Sequence, residues 1–266
     1  MNAAQVKFVL VETSSGGNIG AAARAMKTMG LSDLALVNPC EFRTYECYSR
    51  ASGADDLLDS ASVCATLEEA IADCTLVIGT SARLRTLSWP QIEPHEIVQA
   101  FASSTVADTD EQIGRLAIVF GRERSGLTNA ELALCSQLVV IPSMPQFSSL
   151  NISAAVQVLA YELRRGVLAQ DESLSQNTGQ NTGQNTASKL PPGELPATHD
   201  EHEHLYAHMQ STMIETGYLD PENPRMMMPR MRRLFNRAAM NRSEVQLLRG
   251  LLASLDKLAK KIKSEQ

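Results

Sequence analysis

The sequence predicts an α/β fold, a mostly parallel sheet covered by helices, with a small helical unit behind it. Three observations carry that expectation. Between residues 6 and 166, short apolar runs of strand length alternate with stretches of helical period, the pattern of strands joined by crossover helices. The run "QNTGQNTGQNT", Gln176 to Thr186, then repeats polar residues and glycine that bury too little surface to offset the entropy of ordering. Beyond it the periodicity is helical only. With 266 residues, 44% of them apolar, the chain is long enough for one sizeable core and a small appendage. The expected division is an α/β domain over 1–170, a flexible linker over 171–198 and a helical C-terminal domain over 199–266.

The strand candidates are "VKFVLVE", "LALV", "TLVIGT", "LAIVF" and "LVVIP". Between the first two, Ile19, Ala22, Ala23, Met26 and Met29 form an apolar stripe at helical spacing, closed by Gly30, which completes one βαβ unit. Thr66 with Glu69, and Thr128 with Glu131, are spaced as capping boxes at the starts of later helices. Ile152, Ala155, Val156, Leu159, Ala160 and Leu163 share one face of the domain's last helix. Past "LPPGELP" the sequence predicts a helix from about Glu201 to Thr216 ended by Gly217, another beginning near Pro229, and a third capped by Ser243 with Gln246.

Charge and cysteine content exclude several classes. A formal charge of −6 argues against a uniformly basic surface for non-specific nucleic-acid binding. Yet from Glu222 to Gln266 eleven Lys or Arg face four Asp or Glu, a surplus of seven, which suits a polyanionic partner or simply a solvated helical face. Cys40, Cys47, Cys64, Cys74 and Cys135 contain no C-x-x-C pair, so they read as core residues in a reducing compartment. No window reaches the roughly 18 apolar residues needed to cross a bilayer, and "MNAAQVKFVLVE" lacks a leader pattern, so the expectation is a cytoplasmic protein without a membrane partner. His204 and His208 lie at i, i+4, but no third ligand accompanies them. No metal is expected, and the four histidines of this region are read as a solvated acidic helix face.

Ligands on open α/β sheets gather beyond the carboxyl ends of the strands. After the first strand, "TSSGGNIGAAARAMK" offers Gly16 and Gly17 for tight backbone and Asn18 as a helix cap. Its glycines do not fit G-x-G-x-x-G, and the second strand ends in Asn38 and Pro39 where a dinucleotide site wants an acid. After "LAIVF", "GRERSGLT" has the frame of a phosphate loop, but Leu127 stands where the essential lysine belongs. Glu123 would repel a triphosphate by roughly 1 to 4 kcal/mol per charge pair at close range. The third loop, "PSMPQFSSLNIS", presents Ser148, Ser149 and Asn151 at a helix N-terminus.

"NIGAAARAMK", "FGRERSGLT" and "SSLNISAAVQVLAYE", in that order on an α/β domain, resemble the three motifs of the SPOUT superfamily of S-adenosylmethionine-dependent RNA ribose methyltransferases. The similarity extends over "LVETS", "NPC", "GTSARLRTLSWP", "RRLFNRA" and "LLRGLLASL", nearly everything but the linker. The resemblance implies a homodimer with a deep trefoil knot in the C-terminal part of the α/β domain and S-adenosyl-L-methionine bent within it. It places the cofactor against Thr80, Ser81, Ala82, Gly121, Ile141, Ser148, Ser149 and Leu150, and the acceptor ribose among Asn18, Arg24, Glu123, Ser149 and Asn151. It further implies a tRNA substrate, with cytidine or uridine at position 32 of the anticodon loop as target. An rRNA or other RNA substrate, or an RNA-binding module without catalysis, are the alternatives. A nucleotide-binding ATPase or dehydrogenase is disfavoured by the missing lysine and acid.

Methyl transfer to a 2′-hydroxyl requires alignment, removal or polarisation of the proton, and stabilisation of developing charge. A guanidinium is always charged in a protein, so Arg24 is expected to grip phosphate and favour the alkoxide rather than to act as a base. Glu123 is expected either as a simple ion-pair partner of Arg24 or Arg122, or as the group that orients the arginine. In the tail, "RMMMPRMRRLFNR" interleaves Arg225, Arg230, Arg232, Arg233 and Arg237 with methionines and Phe235, as a helix packed on one side and gripping RNA on the other would. The competing reading is a tail that stabilises a dimer, which "LLRGLLASLDKLAKKIK" would suit.

Overall fold

A computed structural model describes residues 3–81, 89–104, 114–177 and 192–264. The first unit, β1 (Val6–Val11), α1 (Gly16–Thr28) and β2 (Asp33–Val37), is the βαβ unit read from the sequence, with Gly30 in the left-handed region at φ 78 as the helix ends. Then follow α2 (Tyr45–Ala51), α3 (Asp55–Ser60), β3 (Ser62–Cys64), α4 (Leu67–Ile71), β4 (Leu76–Thr80), β5 (Gln91–Ile92) and α5 (Ile97–Ser104). β6 (Leu116–Phe120), α6 (Asn129–Leu134), β7 (Gln137–Val139) and α7 (Ile152–Asn177) complete the α/β part, and α7 runs past the boundary expected at residue 170. Three helices, α8 (His199–Glu215), α9 (Met227–Asn236) and α10 (Arg242–Ser264), close the chain.

Seven strands form one sheet in the order β3-β2-β1-β6-β4-β7-β5, with every pairing parallel. All of β1 and β6 is buried, which is why β6 reads as an unbroken apolar run and β1 as one interrupted only by Lys7, whose ammonium pairs with Asp73. Successive side chains still divide between two faces: Phe8 and Leu10 join α1 and α7 in one core, while Val9 and Val11 join α4 and α6 in the other. β3 and β5 escape a sequence reading because they are very short and flank the sheet, where exposed residues such as Val63 carry no apolar run. α1 and α2 approach until a Cβ at Gly20 would sit 2.0 Å from the Cys47 carbonyl oxygen, so Gly20 is fixed by packing.

Several local expectations are refined. Thr66 accepts from the Glu69 amide, but the Glu69 carboxylate reaches the Ala65 amide rather than that of Thr66, whereas Thr128 and Glu131 close a full capping box. The last helix is boxed by Asn241 and Glu244, two residues earlier than Ser243 and Gln246. The five cysteines are free thiols, and burial pushes those of Cys74 and Cys135 up to about 12. Among the described residues no helix is long and apolar enough to cross a membrane, and no group of three His, Cys, Asp or Glu could hold a metal.

The histidine face is not uniformly solvated. His204 is exposed beside Asp200 and His208 hydrogen-bonds Asp256 at 2.8 Å, but His199 and His202 are buried where α8 docks on the body. The docking is by backbone: the His199 amide donates to the Cys74 carbonyl at 2.7 Å and that of Asp200 to Ala72 at 3.1 Å. The C-terminal helices also share a core of their own around Leu205, Met209, Leu219 and Val245, against which Met227, Met228, Met231 and Phe235 pack half-buried.

Candidate active site

An open cleft lies beyond the carboxyl ends of β4, β6 and β7, where ligands gather on α/β sheets. Thr80, Ser81, Gly121, Ile141, Ser148, Ser149 and Leu150 line it, and so does Glu123. Ala82 lies outside the described residues. Sequence reading passed over Leu132 and Val139, which carry no motif and join Leu127 as an apolar floor only when β6, α6 and β7 are brought together.

The glycine loop folds back on itself. The Gly126 amide donates to the Arg122 carbonyl at 2.9 Å, with Gly126 at φ 68. A Cβ on Gly121 would lie 2.2 Å from the Gly126 carbonyl carbon and 2.3 Å from the Leu127 nitrogen, so this position admits hydrogen alone. Leu127, only 2% exposed, plugs the core with Val119, Leu132 and Leu138 beneath the loop. The place that a phosphate loop gives to lysine is therefore a buried apolar anchor, and no compact cation from this position faces the cleft.

Arg122 offers no free cation either. Its Nε donates to Glu12 at 2.7 Å, its Nη2 also binds Glu12, and its Nη1 donates to Glu131 at 3.0 Å. This fork ties the loop to the end of β1 and to the capping box of α6. The expected ion pair of Glu123 with Arg24 or Arg122 is not formed. Glu123 instead accepts from the Ser14 amide at 3.2 Å, the Ser14 hydroxyl at 3.1 Å and Asn18 Nδ2 at 3.1 Å. Burial opposes its ionisation, but its own backbone amide, Asn18 and Ser14 outweigh that and hold its pKa below the ordinary carboxylate value. Ser14 was missed by sequence reading. A serine just before a helix N-terminus was the available signal.

Asn18 does not cap α1, as its position suggested. Ser15 caps it, which frees the Asn18 amide for a longer reach. A carboxylate only accepts, so Asn18 Nδ2 faces Glu123 and Asn18 Oδ1 accepts from Asn151 Nδ2 at 3.0 Å. Asn151 Oδ1 in turn accepts from the Ser153 amide at 2.9 Å and hydroxyl at 2.6 Å, so Asn151 caps α7 and joins the network at once. Three loops distant in sequence are thereby linked by donors that all point toward Glu123. Arg24 stands outside this network. It is exposed on α1, does not line the cleft, and has no hydrogen bond or ion pair with any described residue.

In the tail, Arg230, Arg233 and Arg237 lie at i, i+3 and i+7 along α9 and its cap, hence on one face, without a partner among the described residues. Arg232 differs: it forms a two-pronged ion pair with Glu203, with Nη2 to Oε2 at 2.6 Å, and stacks over the Tyr206 ring at 4.9 Å. Its charge is spent on attaching α9 to α8. α9 also packs against α6, the helix that follows the glycine loop.

Residues 5–161, more than half of the chain, match the family model described as the SpoU rRNA Methylase family. The chain belongs to the SpoU rRNA methylase family. A second model, described as the C-terminal domain of the tRNA methyltransferase TrmJ, matches residues 200–264. Among curated SpoU-type relatives, the tRNA (cytidine/uridine/adenosine-2′-O-)-methyltransferase TrmJ of Pseudomonas aeruginosa (strain UCBPP-PA14) is 47% identical over 256 residues, 96% of this chain and 95% of that protein. The tRNA (cytidine/uridine-2′-O-)-methyltransferase TrmJ of Cronobacter sakazakii (strain ATCC BAA-894) is 43% identical over 255 residues, 94% of this chain and 96% of that protein. The crystal structure of TrmJ from Z. mobilis ZM4 superposes with a TM-score of 0.74 at 32% identity, covering 94% of this chain and 98% of that one. The resemblance carried by the three motifs thus holds for the SpoU family over residues 5–161, and the similarity to the TrmJ relatives extends over nearly the whole chain.

Proposed function

We propose that this chain is a tRNA 2′-O-ribose methyltransferase that takes S-adenosylmethionine in the cleft beneath the glycine loop. The observation that carries the reading is the Glu123–Asn18–Asn151 network, which gathers three loops at the rim of one cleft. The cleft's chemistry fits the cofactor: an apolar floor for a flat base, hydroxyls of Thr80, Ser148 and Ser149 for a ribose or amino-acid end, and an ionised Glu123 that tolerates positive charge and repels polyphosphate. When bound, a sulfonium donor supplies an electrophilic methyl group and leaves as a neutral thioether. The chain's own residues must then place the acceptor oxygen and deal with its proton.

Ser149 and Asn151 sit where the rim meets the N-terminus of α7, whose backbone N–H groups favour developing negative charge on an oxygen. Arg24, cationic and unpaired, suits the phosphate next to the acceptor ribose. Because Arg24 stands outside the cleft, a homodimer is part of the proposal. Exposed Met144, Phe147 and Tyr161, on the third loop and α7, support a face that a second copy covers. A trefoil knot in the C-terminal part of the α/β domain, implied by the family resemblance, belongs to the same proposal.

On the tRNA, Arg230, Arg233 and Arg237 would hold backbone phosphates on the side of α6, with Arg232 positioning their helix. A linker between two units, a cytoplasmic location and cytidine or uridine at position 32 as target belong to the same proposal. The names of the relatives share the ribose acceptor and differ in the base, as expected of a site built around a 2′-oxygen. Mass spectrometry of nucleosides from unmodified tRNA after incubation with protein and donor tests the reading. The expected product carries its methyl on the ribose of nucleoside 32, and a base-methylated nucleoside or none at all refutes it. In the same assay Glu123→Gln lowers turnover by about tenfold while the melting temperature barely moves, since the amide nitrogen that replaces one carboxylate oxygen no longer accepts from the Ser14 hydroxyl and the negative charge at the rim is lost.

A further inference from the structure

Two tyrosines of α2 have opposite fates. Tyr48 is half-buried against the core and its hydroxyl is tied to Asp59 at 2.8 Å. Tyr45, at the first turn of the same helix, is 90% exposed, more than any other large apolar or aromatic side chain among the described residues, and it has no partner there. Its position is fixed from both sides. A Cβ on Gly16 would lie 3.4 Å from Thr44 Oγ1 and one on Gly17 2.6 Å from Glu46 Oε1, so the residues flanking Tyr45 abut the first turn of α1. Asn18, the next residue of that turn, is the centre of the network at the cleft rim. The Gly20–Cys47 approach locks the two helices together behind this contact.

We propose that Tyr45 is a stacking platform for an unpaired nucleobase next to the ribose being methylated. The proposal deepens the tRNA reading above and rests on it. A solvent-exposed ring beside an acceptor site, held by rigid packing, provides the flat face on which bases of single-stranded loops stack. Arg43, whose guanidinium lies 5.3 Å from the Phe42 ring centroid, and exposed Arg50 are near Tyr45 in sequence, and so are Glu41 and Glu46. These charges cancel in pairs. The ring rather than net charge must provide the grip, and a ring tolerates any base.

The test uses the full-length protein, an unmodified tRNA transcript and S-adenosylmethionine. Tyr45→Ala is expected to raise Kd and KM for tRNA by about tenfold, by the same factor at low and high salt, with kcat and cofactor affinity retained. Tyr45→Phe, which keeps the ring, should restore wild-type affinity. Tyr48→Phe, which breaks only the bond to Asp59, should lower the melting temperature and leave tRNA binding alone. Unchanged tRNA affinity in Tyr45→Ala, an equal loss in Tyr45→Phe, or a change of oligomeric state in Tyr45→Ala would each overturn the platform while leaving methylation by the wild type intact. If the wild type itself transfers no methyl to tRNA, the reading of the site falls, and the platform with it.

Discussion

The glycine loop and helix α9 are both rich in arginine and use it in opposite ways. In the loop, Arg122 is closed on Glu12 and Glu131, so its charge holds backbone in place beneath a cleft. On α9, Arg232 does the same with Glu203, but Arg230, Arg233 and Arg237 on the other face have no carboxylate in reach among the described residues. A dense run of basic residues therefore divides into those that build the fold and those without a partner among the described residues. The partition is set by which carboxylates the fold brings near, not by the motif. Arg24 falls in the second group although it belongs to the most motif-like stretch of the sequence.

The comparison is broken most severely at Gly121. The Cβ of Gly121→Ala forces a backbone shift costing about 2 to 3 kcal/mol, so affinity for S-adenosylmethionine, measured by calorimetry, should fall on the order of a hundredfold. tRNA binding through α9 should survive. The converse variant, with Arg230, Arg233 and Arg237 all changed to Gln, should leave cofactor affinity alone and reduce the slope of log affinity for tRNA against log salt by about two. A smaller effect separates Arg232 from its neighbours: Arg232→Lys loses the two-pronged contact and the stack on Tyr206, lowering stability by about 1 kcal/mol without altering the salt slope.

How much of this was legible follows from what each feature depends on. The buried strands β1, β2, β4, β6 and β7 and the apolar face of α7 were visible because burial on both faces writes itself as apolar composition. The cleft residues were reachable through loops at strand ends. The partners of Glu123 were not, because Glu123 lies 109 residues from Ser14 and 105 from Asn18 and meets them only when β1 pairs with β6. Asn18 looked like a cap until Ser15 took that role, and Arg232 looked like its neighbours until Glu203 lay opposite. Long-range polar pairing leaves no periodic trace.

The buried histidines of α8 give an effect that appears only in acid. Burial, and then His199 beside it, push His202 down to about 4, with Glu201 and Glu203 opposing, while its ordinary value is 6.5. The folded state thus favours the neutral ring, and the unfolded chain binds the extra proton between those values. The contribution to stability is complete above pH 6.5 and is lost as pH falls toward 4. Melting temperatures followed across that window should drop for the wild type and drop less for His202→Leu. Parallel curves would show that this contact between α8 and the body does not govern acid sensitivity.

The central claim is that a loop shaped like a phosphate cradle receives a sulfonium donor because Leu127 is buried beneath it, Arg122 is already paired and Glu123 is ionised at the rim. Calorimetric titration of the purified chain with S-adenosylmethionine and its demethylated product, beside ATP and NAD, addresses it directly. Saturable binding of the first two and none of the nucleotides is expected. Tight binding of ATP or NAD with no response to the sulfonium donor would contradict the account.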